Sequence, residues 1–326
     1  MLLAVAAAWG QTASAPIDLT EPLRTEAATV DALRAAAGVA DVLQTDHFIV
    51  AHTTPVPPAR ELAARLESVY AAHVAFVQQF NLPARRPPQK LPVVLLSSHA
   101  AFVEHLRREG VAAGESLGCY LPAGGRCVFL DLDTYPPLVA VRAEADASGQ
   151  EILRRRFERR RAALALGVVQ HEAAHQVQAA LKLVPVGPAA PVWLREGLAM
   201  RFEVPLAADG RPLSARNGYR LCEFQRLQRD RGAPRELPEF VLDDAAWRGG
   251  PDYPLAWALV EYLQEVYPRE FAVLLRRMTD VGLPTSPVER RAVLDELFGP
   301  LDAAWMPRFR SHVMAWPLAG DFREDE

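Results

Sequence analysis

The chain has 326 residues, half of them hydrophobic and 23% charged, which supplies one large or two modest globular domains and excludes a disordered or collagen-like polymer. Forty acidic and 36 basic residues are spread along it for a formal net charge of −4, so the dense positive footprint of a nucleic-acid-binding surface is excluded too. Lys90 and Lys182 are the only lysines, an arginine bias read as genome composition rather than chemistry.

The first fifteen residues, MLLAVAAAWGQTASA, carry an apolar run from Leu2 to Trp9 followed by small residues. That is the pattern of a secretory signal peptide, although no Lys or Arg precedes it, and it predicts export to the periplasm or beyond. The run is too short to span a membrane and no later segment reaches spanning length, so no stable membrane insertion is expected. Residues 16–45 read as an N-terminal extension. DHFIVA, from Asp46 to Ala51, reads as a strand; Pro55, Pro57 and Pro58 break it before an amphipathic helix from Ala59 to Phe80. A strand from Leu91 to Ser98, a helix from His99 to Arg108 and a hairpin, GCYLPAGGRC with RCVFLDLD, complete a small α/β sheet subdomain over 46–140. Cys119 and Cys127 flank the hairpin, and their spacing fits either a cross-hairpin disulfide or two facing thiols. Over 141–326 the period-two pattern does not return. Helices are predicted at 150–182, 192–203, 214–231, 254–265, 268–279, 286–297 and 301–314, separated by Pro and Gly. The fold class expected is therefore α+β, a sheet subdomain followed by a mainly helical one. The basic run RRRFERRR, Arg154 to Arg161, reads as a solvated helix face.

Within the first of those helices, VVQHEAAHQV contains an H-E-x-x-H pattern: His171, Glu172 and His175. Two histidines four apart lie about 40° apart around a helix and roughly 6 Å along it, so both imidazoles can converge on one ion. Glu172 lies about 100° further round from His171, placed to act as a general base rather than as the third ligand. A second segment, WLREGLAMRFE, offers Glu196 as that third ligand. It would leave the fourth coordination position open, as a catalytic zinc site requires. Gly197 and Ala199 are small enough to let the two helices pack closely.

The pair HEAAHQ and WLREGLA resembles the signature of the gluzincin zinc metallopeptidases, the clan of aminopeptidase N and thermolysin. It is most similar to the peptidase-MA-like bacterial proteins of its domain-of-unknown-function branch. The resemblance covers Asp46 to about Met278 and is most specific from His171 to Glu203. It implies a zincin fold with zinc held by His171, His175 and Glu196, Glu172 as catalytic base, and a peptide or protein substrate. In the aminopeptidase branch a tyrosine that opens a later helix donates to the oxyanion. DYPLAWALVEYL places Tyr253 there, with Ala256 where the branch has glycine.

The sequence also departs from the pattern. No G-x-M-E-N segment, which holds the free amine in aminopeptidases, occurs between Asp46 and His171. Met200 occupies the position of thermolysin's orienting aspartate, and Glu203, about one turn on, is the candidate to take over that role. Two rival readings stay open: a catalytically silent gluzincin-like binding or scaffolding protein, and a metal-free helical protein in which HEAAH is an ordinary helix face. His47, His52, His73, His99, His105 and His312 show no ligand spacing among themselves.

Overall fold

The computed structural model describes residues 18–38, 41–114, 116–185, 187–230 and 237–318; the signal-like segment 1–15 lies outside them. Short, largely apolar segments fold into one five-stranded sheet whose inner strands are buried on both faces. Its strands are β1 (Asp41–Gln44), β2 (Phe48–His52), β3 (Leu91–Leu96), β4 (Gly118–Leu121) and β5 (Arg126–Leu130), in the order β1-β2-β3-β5-β4. The central three are parallel, and β1 and β4 close the two edges antiparallel. Parallel strands are stable when helices cover both faces. Phe48, Val50, Val93, Leu95, Cys127 and Phe129 pack on one side against α2 (Val56–Phe80). Ile49, Val94, Leu96, Val128 and Leu130 pack on the other against α1 (Ala27–Ala37), α3 (His99–Arg108) and α4 (Pro136–Ser148).

The strand register decides the cysteine question. Cys119 pairs with Val128 and Tyr120 with Cys127, so the pleat sends the two thiols to opposite faces of the sheet. All three cysteines are free, and the disulfide alternative fails on geometry.

The remaining helices are α5 (Glu151–Leu164), α6 (His171–Ala180), α7 (Val192–Arg201), α8 (Gly218–Asp230), α9 (Leu237–Leu242), α10 (Tyr253–Val266), α11 (Pro268–Val281), α12 (Pro287–Phe298) and α13 (Trp305–Met314). The chain is thus a mixed α+β protein. Helix α10 is buried almost all round, from Pro254 to Leu263, and packs against α7, α8, α11 and α13. No described helix is long and apolar enough to cross a membrane.

Three local differences from the sequence reading have physical causes. The prolines at 57 and 58 sit in the first turn of α2, where a missing N–H leaves no hydrogen bond unmade, so they open the helix instead of preceding it. Helix α1 and β1 occupy the stretch read as an extension; α1 buries only Leu33 and β1 is half-exposed, so neither carries a strong periodic signal. The helix predicted over 150–182 is interrupted by a π-helical segment, Ala165–Gln170, immediately before His171.

Candidate metal centre

The π segment resets the helix just ahead of HEAAH, a placement typical of functional sites. Gly118 on β4 makes room for it, since a Cβ there would fall 2.7 Å from the Val168 side chain. Helix α6 is then tied down by amides: Gln176 Nε2 donates to the carbonyls of Pro92 and Gly125, and Gln170 Nε2 to that of Val204. On this fixed helix His171 Nε2 and His175 Nε2 stand 3.1 Å apart. Glu196 Oε2, delivered by α7, lies 3.2 Å from the first and 3.3 Å from the second. A tetrahedral ion with ligands at about 2.0–2.1 Å has donor–donor edges of about 3.3–3.4 Å. Two imidazole nitrogens and one carboxylate oxygen in such a triangle therefore fit a small divalent cation. Among the described residues this is the one group of three such donors brought together.

The surroundings orient the donors. Glu203 Oε1 accepts from His171 Nδ1 at 2.7 Å, which turns the Nε2 lone pair toward Glu196. Glu203 is itself buried and held by Arg220 Nε at 2.9 Å, Arg220 Nη2 at 3.1 Å and Asn217 Nδ2 at 3.2 Å. Arg195 Nε donates to Glu196 Oε1 at 3.1 Å, leaving Oε2 for the histidines. Burial alone would lower the basicity of His171, but its hydrogen bonds to the Glu196 and Glu203 carboxylates outweigh that and raise its pKa to about 10. Burial likewise pushes Glu196 upward, and the two histidines overcome that and hold it far below the usual carboxylate range.

This charge balance has a measurable consequence. A proton bound to His171 up to about pH 10 must leave before Nε2 can coordinate a cation. Zinc titration at pH 7, in buffers of different protonation enthalpy, is therefore expected to release about one proton per ion. Binding with no proton release would show that His171 is already neutral before the ion arrives.

Glu172 sits beside this triangle. Its Oε2 accepts from the backbone N–H of Tyr120 on edge strand β4 at 2.8 Å, while Oε1 bonds nothing among the described residues. Both Glu172 and Tyr120 line a cleft of about 310 Å³, with His175, Glu196, Arg195 and Gln178. Tyr253 opens α10 with its ring 6.1 Å from that of His171. Burial first, and then the charges of Glu196 and Glu172, raise its phenol to about 12, so it stays protonated and able to donate at neutral pH.

All five residues expected at the site are thus brought together: His171, Glu172, His175, Glu196 and Tyr253. Gly197 acts differently from its expected role. A Cβ there would fall 2.6 Å from the Ala256 carbonyl oxygen, so it permits close approach of α7 to α10 rather than to α6. Because the obstacle is backbone, Gly197→Ala is expected to destabilise by about 1–3 kcal/mol, read as a shift of the urea midpoint. An unchanged midpoint would show that the α7–α10 contact can yield.

Arg220, Asn217, Arg195 and the Tyr120 amide were not anticipated. Asn217 had a local signal as a polar residue before α8, since its Oδ1 accepts from Arg220 N. The others have none, because their roles depend on helices meeting in space.

Residues 165–282 match the model of a family described as a protein of unknown function (DUF1570). That stretch contains His171, Glu172, His175, Glu196, Glu203, Arg220 and Tyr253, and stops short of the sheet. No curated protein matches the chain.

Proposed function

We propose that this protein is a zinc-dependent metallopeptidase of gluzincin type that hydrolyses peptide bonds with an activated water. The observation that carries the reading is the convergence of three donor atoms from two helices, next to a carboxylate that is not one of them. His171, His175 and Glu196 would hold the zinc. When bound, the ion supplies a Lewis acid that polarises the scissile carbonyl and lowers the pKa of a water.

The chain's own residues do the rest. Glu172 is anchored at one oxygen by the Tyr120 amide, which leaves the other to take the proton of the attacking water and pass it to the departing amine. The protonated Tyr253 hydroxyl donates to the oxyanion as it develops. Glu203 fixes the His171 ring, and Arg220 and Asn217 fix Glu203. The signal-like residues 1–15 fit an exported enzyme acting outside the cytoplasm.

Digestion of a broad peptide library with and without a chelator tests the proposal. Cleavage that disappears on chelation and returns with added zinc is the expected result. Cleavage indifferent to the chelator, or none at all in the zinc-loaded protein, favours a silent binding or scaffolding protein instead.

A further inference from the structure

Arg195 is the one arginine or lysine among the described residues that line the cleft. Its neighbour Glu196 uses only part of it. Nε donates to Glu196 Oε1 at 3.1 Å, whereas Nη1 and Nη2 make no hydrogen bond among the described residues. The side chain is 36% exposed, so the open end of the guanidinium is reachable from solvent. The same arginine acts electrostatically on the Tyr253 phenol, which places it within range of both the metal triangle and the proposed oxyanion donor.

The charges around it point the same way. Glu172 and Glu196 formally cancel a divalent cation, and Glu203 is matched by Arg220. With such an ion bound, Arg195 would be in excess and the cleft would carry a net positive charge beside the donor triangle. The rest of the lining includes Pro122, Ala179, Val184 and Pro185, which offer little competition for an anion. A guanidinium with two free parallel N–H groups is shaped for bidentate pairing with a carboxylate.

We infer that Arg195 is a specificity-determining residue that binds a carboxylate of the peptide, so the cleft selects peptides that place an acidic group beside the donor triangle. The inference rests on the proposed peptide substrate but not on turnover. The carboxylate has two possible sources, the free C-terminus of a chain or the side chain of an Asp or Glu.

Calorimetric binding to the full-length Glu172→Gln protein, with and without a second change, Arg195→Gln, tests it in a slight molar excess of zinc. Glutamine is chosen because its amide nitrogen follows Cδ where Nε stands in arginine; the bond to Glu196 can persist while the charge and the fork are removed. The probes are acetyl-tetra-alanine with a free C-terminus against its amide, and an amidated acetyl-peptide containing one Glu against the same peptide with Gln. In one of the two pairs the acidic member is expected to bind about tenfold tighter than the neutral one, and Arg195→Gln to reduce that ratio about tenfold. The pair that responds identifies the source of the carboxylate. Equal ratios with and without Arg195→Gln in both pairs, or no acidic preference in either, would overturn the inference. Should the wild-type protein cleave no peptide and still show an Arg195-dependent ratio, the hydrolase reading falls and the inference stands. Chelator-sensitive cleavage with ratios unchanged by Arg195→Gln would instead keep the hydrolase and remove Arg195 from substrate selection.

Discussion

Glu172→Gln is expected to lower kcat on any cleaved peptide by about 10²–10⁴, the usual contribution of a positioned base, with no change in zinc stoichiometry. The two effects separate because Glu172 stands outside the donor triangle of His171, His175 and Glu196. Its Oε2 accepts from the Tyr120 N–H at 2.8 Å, and an amide oxygen can accept the same bond, so the side chain stays in place. What is lost is the ability to take a proton. Elemental analysis and turnover measured on the same preparation check both halves. Full activity in a zinc-replete variant would remove Glu172 from the mechanism, and loss of zinc would mean that it helps hold the ion.

The second large effect is expected at Glu203→Gln. Its carboxylate receives four hydrogen bonds: from His171 Nδ1 and Arg220 Nη2 on Oε1, and from Arg220 Nε and Asn217 Nδ2 on Oε2. An amide has one accepting atom, so in either orientation its NH₂ faces donors, and the Arg220 charge loses its buried partner and keeps only the more exposed Glu223. Breaking a buried ion pair in this way costs about 3–5 kcal/mol. Loss of the orienting bond to a ligand histidine typically weakens metal binding or activity by about 10–100-fold. Competition with a chromogenic chelator reads the affinity, and urea denaturation with saturating zinc reads the stability. Zinc affinity within twofold of wild type would show that His171 is oriented by packing alone.

Much of the fold was legible in the sequence because its signals are local. The helix from His99 to Arg108 begins and ends where its amphipathic pattern does, and Ser98 caps it by accepting from Ala101 N. The strand at Leu91–Leu96 is a continuous apolar run bounded by polar residues. Elements that bury little were missed. Helix α4 buries only Leu138 and Ala145, and β1 buries no residue fully. The π segment could not be seen either, since nothing in ALGVVQ marks it off from an ordinary helix, and its close approach to Gly118 of β4 exists only in the folded chain.

The site divides along the same line. Which atoms can serve as donors, and which of them share a helix, follows from local spacing: a separation of four between His171 and His175 puts both rings on one face, whatever surrounds it. The sequence also supplied a carboxylate on a separate helix and a tyrosine at the start of a third. The approach of Glu196 Oε2 to within 3.3 Å of both imidazoles, by contrast, comes from the folding of the whole chain. The intervening chain passes through Leu181, Pro185, Gly187 and Pro191, and no local preference fixes where such a path returns. Its return is set by long-range packing, with Gly197 seated against Ala256 and Gln170 bonded to Val204. The same packing brought Arg220 to Glu203 and the Tyr120 amide to Glu172, contacts that exist only once sheet and helices have met.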